Sequence, residues 1–254
     1  FGVDLTGFST RVTQDGSSWN DGDKIGTYVL DMKTLEPVTE AANVPYVCSE
    51  EGASVSFTST TPLKVQNDGT PVKFVAYYPY NADVRNFNYP VQLAAQERGS
   101  TACDLLYAAT KEEYTYSPEN EPHISLNFTH RLAKVILKFV NMEKEPLEVS
   151  DVRIEGMQTA ASFNIQTDVL TVDESSVATI NPYHNATTGF YEAIILPSAL
   201  TDSYKVSFVL DDREKEWIFT NLDIALPQFH KGYSYTFALY IDDSGFVEMG
   251  RLEN

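Results

Sequence analysis

No stretch of this sequence keeps apolar residues at helical spacing for three consecutive turns, which excludes a bundle or an α/β layer built on long amphipathic helices. In their place stands a succession of short alternating or β-branched and aromatic runs: KIGTYVLDM, SVSFTST, PVKFVAYYPY, YPVQLAA, HISLNFTHRLAKVILKFVN, LEVSDVRIEGM, YEAIILP, YKVSFVLDD, KEWIFTNLDI and GYSYTFALYID. Gly, Pro, Asn and Asp bound these runs and supply the backbone angles of turns. A strand sends successive side chains to opposite faces, so such runs bury their apolar sides only by stacking layer on layer. The expectation is an all-β fold of antiparallel β-sandwiches. QERGSTACDLLYAATKEEY is the one helical candidate, and Gly99, Ser100 and Thr101 make it a loop leading into a strand.

A chain of 254 residues is long enough for one large or two ordinary domains at roughly 100–200 residues each. The strand pattern breaks at SPENEP, residues 117–122, where two prolines and two glutamates intervene. Polar, proline-containing segments are where domains part, so an N-terminal sandwich over 1–120 and a C-terminal sandwich over 121–254 are expected. VKFVAYYPYNA and YEAIILPSAL each end a strand on a proline, a pattern too common to mark a repeat.

Charge removes whole classes of partner. The 18 Lys and Arg against 36 Asp and Glu leave a net charge of −18, so a phosphate backbone or an anionic membrane surface would be repelled. No nucleic-acid role is expected. No apolar run approaches the ~20 residues of a membrane helix. The sequence opens at Phe1 without Met or a signal peptide, as expected if a targeting segment has been removed. Cys48 and Cys103 are too far apart for a CxxC site; two buried thiols and a disulfide both remain open.

Cationic side chains interrupt the most strand-like run. In FTHRLAKVILKF, Ile124, Leu126, Phe128, His130 and Leu132 share one parity, and Val135, Leu137 and Phe139 share the other. A switch near Ala133 and Lys134 implies a bulge or a strand changing sheets. His130 then lies on or near the packed face as a hydrogen-bonded core histidine, with Arg131 and Lys134 turned away. His123, His184 and His230 show no metal-ligand spacing, and no GxSxG elbow or phosphate loop occurs. WNDGDKIG fits a tight Asp-Gly turn better than a calcium loop. No pair of carboxylates is marked as opposed across a cleft for glycoside hydrolysis. No catalytic residue, metal or cofactor is therefore assigned. Tyr77, Tyr78 and Tyr80 in AYYPY, with Phe87 and Tyr89 nearby, are the candidate ligand-facing aromatics; the competing assignment is cross-strand packing.

Eight segments occur together in a familiar order: TRV at 10–12, WNDGDKIGTYV at 19–29, VKFVAYYPY at 72–80, DLLYA at 104–108, LNFTHRLAKVILKF at 126–139, IEGMQTAASF at 154–163, YEAIILP at 191–197 and FHKGYSYTFAL at 229–239. The chain thereby resembles the fimbrillin-like proteins of anaerobic Gram-negative bacteria. The resemblance implies two transthyretin-like sandwiches and a cell-surface subunit that serves adhesion and assembly, not catalysis. It also implies export as a lipoprotein, membrane attachment only through a lipid anchor on the precursor, and fimbrial subunits as partners through strand exchange. A host protein or glycan would be the adhesion ligand. In that family an arginine-specific protease removes the first strand. FGVDLTGF has one apolar face, from Phe1, Val3 and Leu5, and is followed by Ser9, Thr10 and Arg11. Arg11 is thus the candidate processing site, the alternative being an ordinary exposed arginine behind a strand that stays in place. GFVEMGRLEN reads as at best a short strand, which sets a tip or accessory position beside a stalk position. The rival function is a carbohydrate-binding module of a glycan-uptake system.

Overall fold

The computed structural model describes residues 2–4, 8–10, 18–38, 42–66, 68–116, 124–221, 226–244 and 247–253. Among them there is no α-helix; one 3-10 turn, Thr101–Cys103, leads into the strand Leu106–Ala109. The chain forms two compact units. One takes Phe1–Tyr89, Leu105–Thr129 and Phe163–Val169, the other Pro90–Asp104, His130–Ser162 and Leu170–Asn254. Residues 117–122, the expected boundary, lie outside the described residues, as do Arg11 and His123.

The first unit is organised by an eight-stranded sheet in the order Ile124–Ser125, Phe8–Thr10, Val55–Thr58, Val44–Cys48, Lys24–Asp31, Val72–Tyr78, Leu106–Ala109, Thr129–His130. Lys24–Asp31 lies between two long partners and is buried on both faces from Ile25 to Leu30. Phe8–Thr10 also has a partner on each side, parallel to Ile124–Ser125 and antiparallel to Val55–Thr58. Outside this sheet Gly2–Asp4 pairs with Lys64–Gln66. The core gathers around Trp19, fully buried, with Phe57, Tyr78 and Phe128 standing edge-on to its indole at 4.9–5.4 Å, the geometry aromatic quadrupoles favour. Just after Trp19 the chain turns through Asn20–Asp23: the Asp23 N–H donates to the Asn20 carbonyl at 3.1 Å, and Gly22 takes φ +87°. This is the expected Asp-Gly turn.

The second unit stacks two layers. A five-stranded sheet runs Tyr183–Asn185, Phe190–Ile195, Ala133–Asn141, Ser234–Ile241, Val247–Glu253, and a three-stranded one runs Ser150–Glu155, Lys205–Leu210, Arg213–Ile218. Ala133–Asn141 alternates strictly from Ala133 to Phe139, and its buried residues join Val206, Phe208, Trp217 and Phe237 in one core. Phe139 and Phe208 meet at 4.8 Å between the layers.

The all-β expectation with antiparallel sheets holds, with a local departure where Ala133–Asn141 runs parallel to Ser234–Ile241 over eight residue pairs. Several other expectations need correction. The C-terminal run is a seven-residue strand, Val247–Glu253, paired antiparallel with Ser234–Ile241. Val44–Cys48, hidden in the sequence by Pro45, is a strand as well. The parity switch falls at Leu132 and Ala133, consecutive and both buried. His130, expected largely buried, keeps 31% of its side chain exposed and sets Nδ1 2.8 Å from Asp104 Oδ2. Lys134 does face away from the core, but it is paired there at 2.7 Å with Glu192, itself held by Asn185. The cations of that run are thus taken up by structural contacts. Cys48 and Cys103 are both free thiols.

One side chain stands in for a missing strand. Tyr183–Asn185 covers Phe190–Ile195 only as far as Glu192, which would leave the buried Ile194 peptide without a partner on that side. Buried Gln96 takes its place: Nε2 donates to the Ile194 carbonyl at 2.7 Å and Oε1 accepts from the Ile194 N–H at 2.8 Å. Gln96→Leu should cost about 1–3 kcal/mol for each backbone group left unpaired. Exposed Glu97→Leu should change stability by less than about 0.5 kcal/mol; urea unfolding of the two variants measures both.

Candidate functional site

Glycine sets the local architecture around AYYPY. Gly26 lies directly opposite Tyr77 in the pairing of Lys24–Asp31 with Val72–Tyr78. A Cβ at Gly26 would come within 2.3 Å of Tyr77 Cε1 and 2.7 Å of Asn43 Oδ1, so only glycine lets the phenol lie flat across its neighbour strand. The Tyr77 ring is fully buried, with its hydroxyl 2.7 Å from Asn43 Oδ1 and 3.0 Å from the Asn81 carbonyl. Asn43 in turn donates Nδ2 to the Asn81 carbonyl at 2.9 Å. Burial pushes the Tyr77 phenol well above its ordinary range. A ligand cannot reach Tyr77. Tyr78 points to the other side, its ring on Trp19 and its hydroxyl 3.2 Å from Asp23 Oδ1.

Tyr80 alone of the three lines a depression. The cavity, about 480 Å³, is walled by Tyr28, Asn43, Tyr80, Arg85, Asn86 and Phe87, among others. A tight turn builds one wall: the Asn88 N–H donates to the Arg85 carbonyl at 3.0 Å, and Asn86 and Phe87 take φ of +50° and +62°. Positive φ at two central residues is the mark of a type I′ hairpin turn. For an aromatic residue it is strained, and such strain concentrates at binding sites. Phe87 is held there by the Tyr28 ring at 4.8 Å and by the Ile165 N–H, which donates to its carbonyl. Arg85 anchors Nη1 on the carbonyls of Ala82 and Val84 at 2.7 and 2.9 Å. Tyr28 is 4% exposed, yet its hydroxyl bonds to no group among the described residues. Burial pushes its phenol up to about 12, with the neighbouring Tyr80 adding to the rise and Arg85 opposing it. AYYPY pointed to this region. Phe87 was singled out beside it, but Tyr28 and Arg85 were not, since only the pairing of Lys24–Asp31 with Val72–Tyr78 and the turn at Asn86 bring them to it.

Among the described residues no cluster of three His, Cys, Asp or Glu is placed to hold a metal ion. The other surfaces with binding potential are the sheet margins. Tyr183–Asn185 and Val247–Glu253 form the two edges of the five-stranded sheet.

A family model described as fimbrillin-like matches residues 10–250. No curated protein matches the sequence. Among solved structures, a candidate cell adhesion protein from Bacteroides uniformis is similar at TM-score 0.81 and 22% identity, with 98% of this chain and 96% of that one covered. A fimbrial assembly protein from Parabacteroides distasonis is similar at 0.59 and 12%, covering 96% and 93%, and a fimbrial protein from Bacteroides ovatus at 0.52 and 18%, covering 95% of this chain and half of that one. At such identities these likenesses establish the fold.

Two outcomes are expected. Gly26→Ala should destabilise the chain by about 1–3 kcal/mol through overpacking against Tyr77, measured by thermal or denaturant unfolding. Because the folded state raises the Tyr28 phenol from 10.0 to about 12, it favours the protonated form. That contribution is intact below pH 10 and is lost as pH rises towards 12. Tyr28→Phe should therefore flatten the alkaline fall in stability, read from urea midpoints across that window.

Proposed function

Because this chain belongs to the fimbrillin-like family, we propose that it is a structural and adhesive subunit of a cell-surface fimbria and joins its neighbours by exchanging a strand. The match across residues 10–250 carries the reading. The role is assembly and adhesion rather than catalysis. Its partners are other fimbrial subunits and, at the exposed end, a host protein or glycan. Attachment to the outer membrane is through a lipid anchor on the precursor.

The first sheet supports the exchange step. Phe8–Thr10 sits between Ile124–Ser125 and Val55–Thr58 and ends one residue before Arg11. Its release by cleavage after Arg11 would open a slot one strand wide, with main-chain donors and acceptors on both walls. An incoming strand would satisfy those groups and fill alternate side-chain positions. Val247–Glu253, in contrast, is engaged by its own sheet from end to end, which favours a tip or accessory position over donation of the C-terminus. A second reading, glycan capture as the main task, has the depression at Tyr80 in its favour.

Immuno-electron microscopy of the native surface tests the location: label along or at the end of filaments is expected, and label confined to a smooth surface would end the fimbrial reading. Limited digestion with an arginine-specific protease tests the mechanism. Cleavage after Arg11 should yield a product that binds a labelled donor-strand peptide or polymerises. A folded protein that resists the cut, or a cut product that does neither, removes the processing role of Arg11.

A further inference from the structure

We propose that the depression at Tyr80 binds a sugar residue bearing a carboxylate, of the hexuronic acid class. The inference adds a ligand to the adhesive role and rests on that reading only for its setting, because the cavity is built within the first unit's own fold.

The volume, about 480 Å³, falls within the ~300–1,000 Å³ of small-ligand pockets. Tyr80 and Phe87, both half-buried, supply apolar ring surface for the C–H face of a pyranose, with the buried Tyr28 ring backing Phe87. Arg85 supplies the charge. With Nη1 fixed on two backbone carbonyls, the guanidinium plane is set in advance, and its remaining N–H groups form the planar fork that matches a carboxylate. The chain carries 36 Asp and Glu, yet among the described residues none lines this cavity, so an anion meets no like charge from them. The Tyr28 hydroxyl gives the second, independent indication. It makes no hydrogen bond to a described residue and is not one of the buried unpartnered side-chain atoms, Trp19 Nε1, Tyr114 Oη and Arg153 Nε; at the cavity wall it is placed to meet a sugar hydroxyl. The Asn86 amide, also without a partner there, offers a further donor and acceptor at the rim. Two partly exposed rings with several hydroxyl-matching groups exceed what a bare peptide carboxylate would use, which favours the sugar.

The full, unassembled chain titrated with methyl glucuronoside and methyl glucoside, by calorimetry or ligand-observed NMR, tests the proposal. The glucuronoside should bind at least about tenfold more tightly, as a charge-assisted bidentate pair requires. Arg85→Gln should bring the two sugars to within about twofold, and Arg85→Lys, which keeps charge but loses the fork, should fall between. Tyr28→Phe should leave the melting temperature unchanged or raised, because its hydroxyl has no partner among the described residues, while weakening the glucuronoside about fivefold. Equal binding of both sugars, no binding of either, or unchanged binding in Arg85→Gln at intact fold would overturn the proposal. N-acetyl-aspartate amide binding as tightly as the glucuronoside would overturn the sugar assignment. Since binding is read on unassembled protein, a failure to form fibres leaves this result independent.

Discussion

Backbone hydrogen-bonding groups that find no partner within their own segment govern this molecule. A helix satisfies its amides locally; a short strand must reach another strand, often far along the chain. Ala133–Asn141 finds one partner in Phe190–Ile195 and another in Ser234–Ile241. Where no strand is present, a side chain serves: Gln96 completes the Ile194 peptide that Tyr183–Asn185 does not reach. The apolar core follows from this pairing. Once strands are aligned, alternate residues such as Val135, Leu137 and Phe139 fall on one face and meet Phe208 and Phe237 from other strands.

The same demand explains what could be read from sequence. Alternation in AKVILKF is visible because one face is core and the other is polar or half-covered. The run KIGTYVLD is legible for a different reason, continuous burial on both faces. Val44–Cys48 was not legible, because Pro45 removes a donor and argues against a strand; opposite Gly26 the ladder tolerates it. Val247–Glu253 was not legible either. A sequence of Glu, Gly and Arg among three apolar residues has little strand character, and its pairing with Ser234–Ile241 makes the strand.

The candidate site was half legible. A cluster of tyrosines is a local feature, so AYYPY could be singled out, but which ring faces outward depends on a glycine on another strand. Gly26 admits Tyr77 into the sheet and thereby leaves Tyr80 to line the cavity. The left-handed turn at Asn86 and Phe87 carries no Gly, so the usual sign of such a turn was missing. The physical assembly of the site therefore runs through backbone geometry: turn, then ring, then guanidinium.

The two units are interleaved along the chain. The first requires Leu105–Thr129 and Phe163–Val169, and the second already includes Pro90–Asp104. A ribosome delivers residues from the N-terminus, so at the time Tyr89 emerges the first sheet still lacks Leu106–Ala109 and Ile124–Ser125, and its margins stand open. Neither unit can close until roughly two thirds of the polypeptide has appeared, as distant pairing must wait for its partners. Translation and folding are thereby uncoupled over that interval, and the strand edges of the nascent chain stay open for as long as the topology dictates.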